Sequence, residues 1–176
     1  MSQQEQGVYQ PMKRISVEKV VINVGVGKSG EPIEKAKNAL FELTGHQAAI
    51  RGARETVRDF GIHKGEPIGV IVTLRRIPAI EFLKRVLAAK RNTLKNSSFD
   101  DFGNISLGIH EHIDIPGTKY NPDIGIFGMD VNVVLSRPGY RIARKSKKRS
   151  KIGRSHRINK AEAVEFFKQQ YGIEVE

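Results

Sequence analysis

From Glu66 to Arg75 the chain reads EPIGVIVTLR, and the alternation in it leaves little choice of structure. Successive side chains of a strand point to opposite faces. Ile68, Val70, Val72 and Leu74 therefore fall on one side, with Ile71, Thr73 and Arg75 on the other. A slip of one residue would exchange the faces, so the register is strongly specified once one face is buried. Ser16 to Val24 behaves alike: it is rich in β-branched residues and sets Val20, Ile22 and Val24 against a more polar Lys19-Val21-Asn23 face. Further strands are predicted at Ile105 to Ile109 and Gly128 to Leu135.

Helices are predicted between the strands. In Glu31 to Thr44, Ile33, Ala36, Leu40 and Leu43 recur at three- and four-residue steps before Gly45, the spacing that keeps one helix face apolar. A second helix begins near Pro78, with Ile80, Leu83, Val86 and Leu87 as its stripe. A third has Asn159 as N-cap and Glu162 three residues on, approximating a capping box, with Val164, Phe167 and Tyr171 as its buried stripe. Gln47 to Phe60 reads as two short extended pieces around Gly52, Asn92 to Asn104 as a polar loop, and Asp114 to Phe127 as Pro- and Gly-marked connection. Strands with inserted helices but no strict βαβ rhythm give an α+β fold, a mainly antiparallel sheet with helices packed on one face. One domain over residues 13–176 is expected, with a loose N-terminal arm at 1–12, a basic segment at 137–160 and a C-terminal helix at 160–171. The polar face left over can simply be solvated, or can be a platform for RNA, whose shallow minor groove and unpaired bases suit flat surfaces.

Charge favours RNA. The chain carries 30 Lys+Arg and 19 Asp+Glu, a net of +11. Arg137 to Lys160 alone holds eleven cations and no acid, leaving nineteen charges of each sign elsewhere. Charge concentrated in this way suits a polyanion, because each phosphate neutralised releases a condensed counterion. Pro138, Gly139, Tyr140, Ile142 and Ile152 punctuate the run, which gives it the look of a shaped element and not a solvated tail. With no Cys there is no disulfide framework, no thiolate zinc site and no cysteine nucleophile. The polar N-terminus lacks a secretory pattern and no apolar run reaches 18 residues, so an intracellular chain without a membrane partner is expected.

Motifs for catalysis are weak. Gly25 to Gly30 matches G-x-G-x-x-G between a strand and a helix, but the second strand that a dinucleotide site needs has no acidic end. His110-Glu111-His112 offers two imidazoles without a third ligand selected by spacing. Asp100-Asp101 point apart in an extended loop, and no Gly-x-Ser-x-Gly elbow occurs. Gly52 to Glu66 is more informative: Gly61 to Gly65 reads as a hairpin tip carrying His63 and Lys64. Phe60 beside it is either a core anchor or a ring free to stack on a base. From the residues alone, a general RNA-binding module or a nucleotide-binding enzyme built on Gly25 to Gly30 both stay open.

Several blocks occur together in collinear order: PMKRISVEKVVINVGVG from Pro11, LTGHQ from Leu43, ARETVRDFGIHKGEPIG from Ala53, VTLR from Val72, FDDFGNISLG from Phe99 and GMD from Gly128. They resemble the large-subunit ribosomal protein L-five family, which binds 5S ribosomal RNA. The region from Ser136 onward resembles the archaeal and eukaryotic branch. The resemblance implies a non-enzymatic cytoplasmic protein of the large ribosomal subunit, whose sheet docks 5S rRNA in the central protuberance. Its RNA-contacting positions fall on Asn23, Gln47, Phe60 and Thr73, with Arg54 and Arg75 beside them. It further implies that Gly61, Ile62, His63, Lys64 and Gly65 face the P-site tRNA, followed by Glu66 where bacterial relatives carry a more basic tip. Sequence-independent contacts to large-subunit rRNA or neighbouring proteins would come from Arg141, Arg144, Lys145, Lys147, Lys148, Arg149, Lys151, Arg154 and Arg157. No cofactor, metal or small-molecule substrate is expected.

Overall fold

A computed structural model describes residues 11–118, 121–122 and 125–176. In chain order its regular elements are β1 (Ser16–Gly25), α1 (Glu31–Thr44), β2 (Ala49–Gly52), β3 (Pro67–Arg75), α2 (Ile77–Ala89), β4 (Thr93–Leu94), β5 (Ile105–Ile109), β6 (Met129–Ser136), α3 (Lys160–Tyr171) and β7 (Glu174–Val175). The main sheet has the order β2-β3-β1-β6-β5, and each neighbouring pair is antiparallel. Register follows the alternation: Val20 lies opposite Leu74 and Val133, and Ile22 opposite Val72 and Val131. All six are buried and form the sheet side of the core. Replacing Ile22 by Ala would leave a cavity worth about 2–5 kcal/mol.

The helices complete that core. α1 buries Ile33, Ala36, Ala39, Leu40 and Leu43, and α2 buries Ala79, Phe82, Leu83, Val86 and Leu87. Leu83, Val86 and Leu87 of the expected α2 stripe are buried, and only Ile80 departs from it. Ala79 faces the sheet while Ile80 is 38% exposed, since a small residue is what close helix–sheet approach admits. In α3 the expected Phe167 is fully buried, joined by Ala163, while Val164 and Tyr171 are only partly so. Its predicted capping box is present, with Glu162 accepting from the Asn159 amide at 3.0 Å.

Two expectations are corrected. The stretch Asn92 to Asn104 is not a plain loop, because β4 pairs in parallel with β7, and Leu94 and Phe99 are buried. Of the two extended pieces around Gly52, the first is β2, whereas the second shrinks to the single Val57–Ile62 bridge. Gly52 has no room for a side chain: a Cβ there would stand 2.9 Å from the Gly65 carbonyl oxygen. Of the expected arm at 1–12, residues 1–10 lie outside the described residues, and Pro11 and Met12 belong to a 3-10 turn, Pro11–Lys13.

The basic segment is pinned at both ends. The buried Arg137 guanidinium donates to Glu162 at 2.8 Å and to the His156 and Arg157 carbonyls at 3.4 Å. Tyr140 accepts from the Ile158 amide at 2.8 Å, and the His156 ring donates to the Pro138 carbonyl at 2.9 Å. Arg137 is therefore structural, while Lys145, Lys147, Lys148 and Arg149 stay exposed.

Candidate nucleic-acid interface

The side chains of the sheet that face away from α1 and α2 lie in rows across four strands. One row runs Ile71, Asn23, Asp130, Gly108; the next runs Thr73, Val21, Asn132, Ser106; a third runs Arg75, Lys19, Val134. Hydroxyl, amide, carboxylate, ammonium and guanidinium groups thus share one flat face with two valines and an isoleucine. Ser106 donates to Asn132 Oδ1 at 2.7 Å, tying β5 to β6 on this face. Asn23 is half-buried and lines a shallow cavity of about 430 Å³ with Gly108, His110 and Asp130. Such a surface offers both donors and acceptors to base edges and ribose hydroxyls. Asp130 on this face disfavours a purely phosphate-reading role.

Of the sequence-predicted residues, Asn23, Thr73 and Arg75 come together here. Gln47 is exposed just ahead of β2, whose Ala49 shares the row of Ile71 and Asn23. Asp130, Asn132 and Ser106 were not singled out from the sequence, although alternation against Val131 and Val133 places the first two on this face.

Arg54 and Phe60 lie on the β2–β3 hairpin instead. Ala53 exchanges backbone hydrogen bonds with Glu66 and Gly65 at 2.8 and 2.9 Å, and Val57 with Ile62 at 2.9 and 3.1 Å. The apex is therefore the 3-10 turn Arg58–Phe60 closed by Gly61, not Gly61 to Gly65. Ile62 to Gly65 form the returning limb, with His63 and Lys64 exposed on it. Phe60 at the apex is 78% exposed, which excludes the core-anchor reading. Glu66 turns back towards the base, accepting from Ser29 Oγ and the His63 amide at 2.9 Å each. Those bonds, the His63 amide foremost, hold its carboxyl below the usual carboxylate range. Its charge is engaged in anchoring the hairpin.

The remaining motifs resolve into structure. The Val26 and Gly27 amides both donate to the Ile68 carbonyl at 2.9 Å, and α1 opens with Pro32 and the acidic Glu31 and Glu34. That helix start is poorly suited to a pyrophosphate, which needs free amides and a positive end. His112 is buried and stacks on Phe127 at 4.1 Å, and burial lowers its pKa so that the neutral ring is favoured. His110 is exposed, so the two imidazoles part company. Among the described residues no group of three His, Cys, Asp or Glu could hold a metal ion. Asp100 Oδ1 accepts from the Phe102 and Asn104 amides at 2.9 and 2.7 Å and so serves its own loop. In the basic segment Arg144 pairs with Glu18, and Arg157 donates through Nε to the Ile152 carbonyl at 3.3 Å.

Comparison with known proteins accounts for nearly the whole chain. The family model described as Ribosomal protein L5 matches residues 10–63, and the model of that family's C-terminus matches residues 67–166. Large ribosomal subunit protein uL5 of Pyrobaculum aerophilum is 53% identical over 166 residues, covering 94% of this chain and 93% of its own. The protein of that name from Sulfolobus acidocaldarius is 49% identical over 175 residues, 99% of this chain and 98% of its own. That from Nitrosopumilus maritimus is 53% identical over 165 residues, 94% and 95% respectively. These relatives are ribosomal proteins, and this chain, like them, is not an enzyme. With collinear motifs, the α+β architecture and this coverage in agreement, the chain belongs to the ribosomal protein L5 family, in its archaeal type.

Proposed function

We propose that the chain is a structural component of the large ribosomal subunit that holds 5S rRNA in the central protuberance. The open sheet face carries this reading: Asn23, Thr73 and Arg75 stand on it in register with Lys19, Asn132 and Ser106. A-form RNA presents ribose hydroxyls and base edges across a wide, shallow groove, and a flat face with mixed donors and acceptors is complementary to that. Gln47 extends the site past the β2 edge, and Arg54 and Arg75 add positive charge at its margins. The cations from Arg141 to Arg157, most of them exposed, add affinity that carries no sequence information and reach large-subunit rRNA or neighbouring proteins of the protuberance. The hairpin segment Gly61 to Gly65, with His63 and Lys64 exposed on it, meets the P-site tRNA, while the exposed Phe60 ring at the apex is free to stack on rRNA. Assembly into ribosomes places the protein in the cytoplasm.

A competition titration tests the reading. 5S rRNA is set against a folded RNA of similar length at two salt concentrations. A preference for 5S rRNA that persists at the higher salt is the expected result. Equal affinities that collapse together would leave only the basic segment at work and overturn it.

A further inference from the structure

A groove of about 450 Å³ opens between the folded-back basic segment and the Val134 end of the open sheet face. That volume is within the range of small-ligand sites, about 300–1,000 Å³. Its lining joins apolar Val134 and Ile152 to Lys151 and Arg157, with Phe102 and Asn104 from the loop before β5. Phe102 is 61% exposed, yet the loop that bears it is held firmly. Asp100 accepts from the Phe102 and Asn104 amides and, at 2.7 Å, from Asn104 Nδ2. Gly103 is buried so tightly that a Cβ on it would stand 2.6 Å from Ile158 Cγ2. A large aromatic ring is thus presented to solvent on a rigid mount.

The charges around it are unequally engaged. Arg144 also lines the groove but is neutralised by Glu18. Lys151 has neither a hydrogen bond nor an ion pair among the described residues, and Arg157 engages only its Nε. Two cations with free donors therefore stand beside a fixed ring and an apolar lining, the combination that binds single-stranded nucleic acid. We propose that this groove takes one unpaired nucleotide of the bound RNA, its base stacked on Phe102 and its phosphate between Lys151 and Arg157. The inference rests on the RNA-binding reading above and adds a shaped site to a segment otherwise credited with non-specific charge alone.

The test uses the full chain and two short stem-loop RNAs, one with a single bulged 2-aminopurine and one fully paired. Wild type should prefer the bulged RNA by about 5- to 150-fold, the range set by stacking one base on an aromatic ring. The 2-aminopurine fluorescence should fall on binding. Phe102→Ala should lose the preference and the quenching while keeping its affinity for the paired RNA, and Phe102→Trp should retain both. Equal binding of the two RNAs by wild type, or a preference that survives Phe102→Ala, would overturn the groove assignment and leave the RNA-binding reading standing. Failure of wild type to bind either RNA would also overturn the groove assignment, while the 5S rRNA reading stands or falls on its own titration.

Discussion

Gly103 shows how much one residue can fix. It has φ of +78° and is wedged against Ile158 and Ala163, so an alanine there meets both backbone strain and a clash. Gly103→Ala should lower stability by about 1–3 kcal/mol, read as a shift of the urea midpoint at constant slope. An unchanged midpoint would mean that the loop yields and that Phe102 is not rigidly held. Arg137 makes a complementary point. By sequence it belongs to the basic run, yet its side chain is buried and bonded to Glu162. Nothing local to SRPGYR announces this, because the partner lies 25 residues on. Asn23 and Thr73 were legible for the opposite reason: two-residue periodicity is local, and it sorts side chains between faces without knowledge of the partner strand.

At the scale of elements, the strands and helices with clear periodicity were readable and the connections were not. Ile105–Ile109 and Glu31–Thr44 have the expected bounds, whereas β4 and β7 are too short to carry a pattern and pair across nearly half of the chain. The hairpin apex was misplaced because Gly61 reads equally well as the opening or the closing residue of a turn. Here it closes one, with φ of +64°. Glu66 then clips the returning limb to Ser29. Because folding depresses its carboxyl, the clip contributes above the ordinary carboxylate range and is lost as pH falls through the depressed value. Hydrogen exchange at the His63 amide should therefore show protection above that point and rising exposure below it. Glu66→Gln should remove the pH dependence. Protection that stays constant from neutral to acidic pH in wild type would contradict the clip.

The whole molecule combines two regions of different character, both turned to RNA in the proposed function, that meet at Val134. The sheet face is mixed in polarity, close-set and fixed by backbone register, so it suits discrimination. The basic segment carries the entire net charge and leaves its central cations exposed, so it suits strength that fades with salt. Composition made the second legible at once, while the first needed the order of strands to bring Asn132 and Ser106 beside Thr73. The most direct test of this division compares 5S rRNA selectivity in two variants at two salt concentrations. Asn23→Ala with Thr73→Ala should lose about 5- to 150-fold in preference for 5S rRNA, since each hydrogen bond lost is worth about 0.5–1.5 kcal/mol net, with an unchanged salt slope. Neutralising Lys147, Lys148 and Arg149 to Gln should keep the preference and flatten the slope by about 0.7–0.9 for each phosphate that the segment no longer neutralises. The opposite pattern, with selectivity intact in the first variant and lost in the second, would contradict the account.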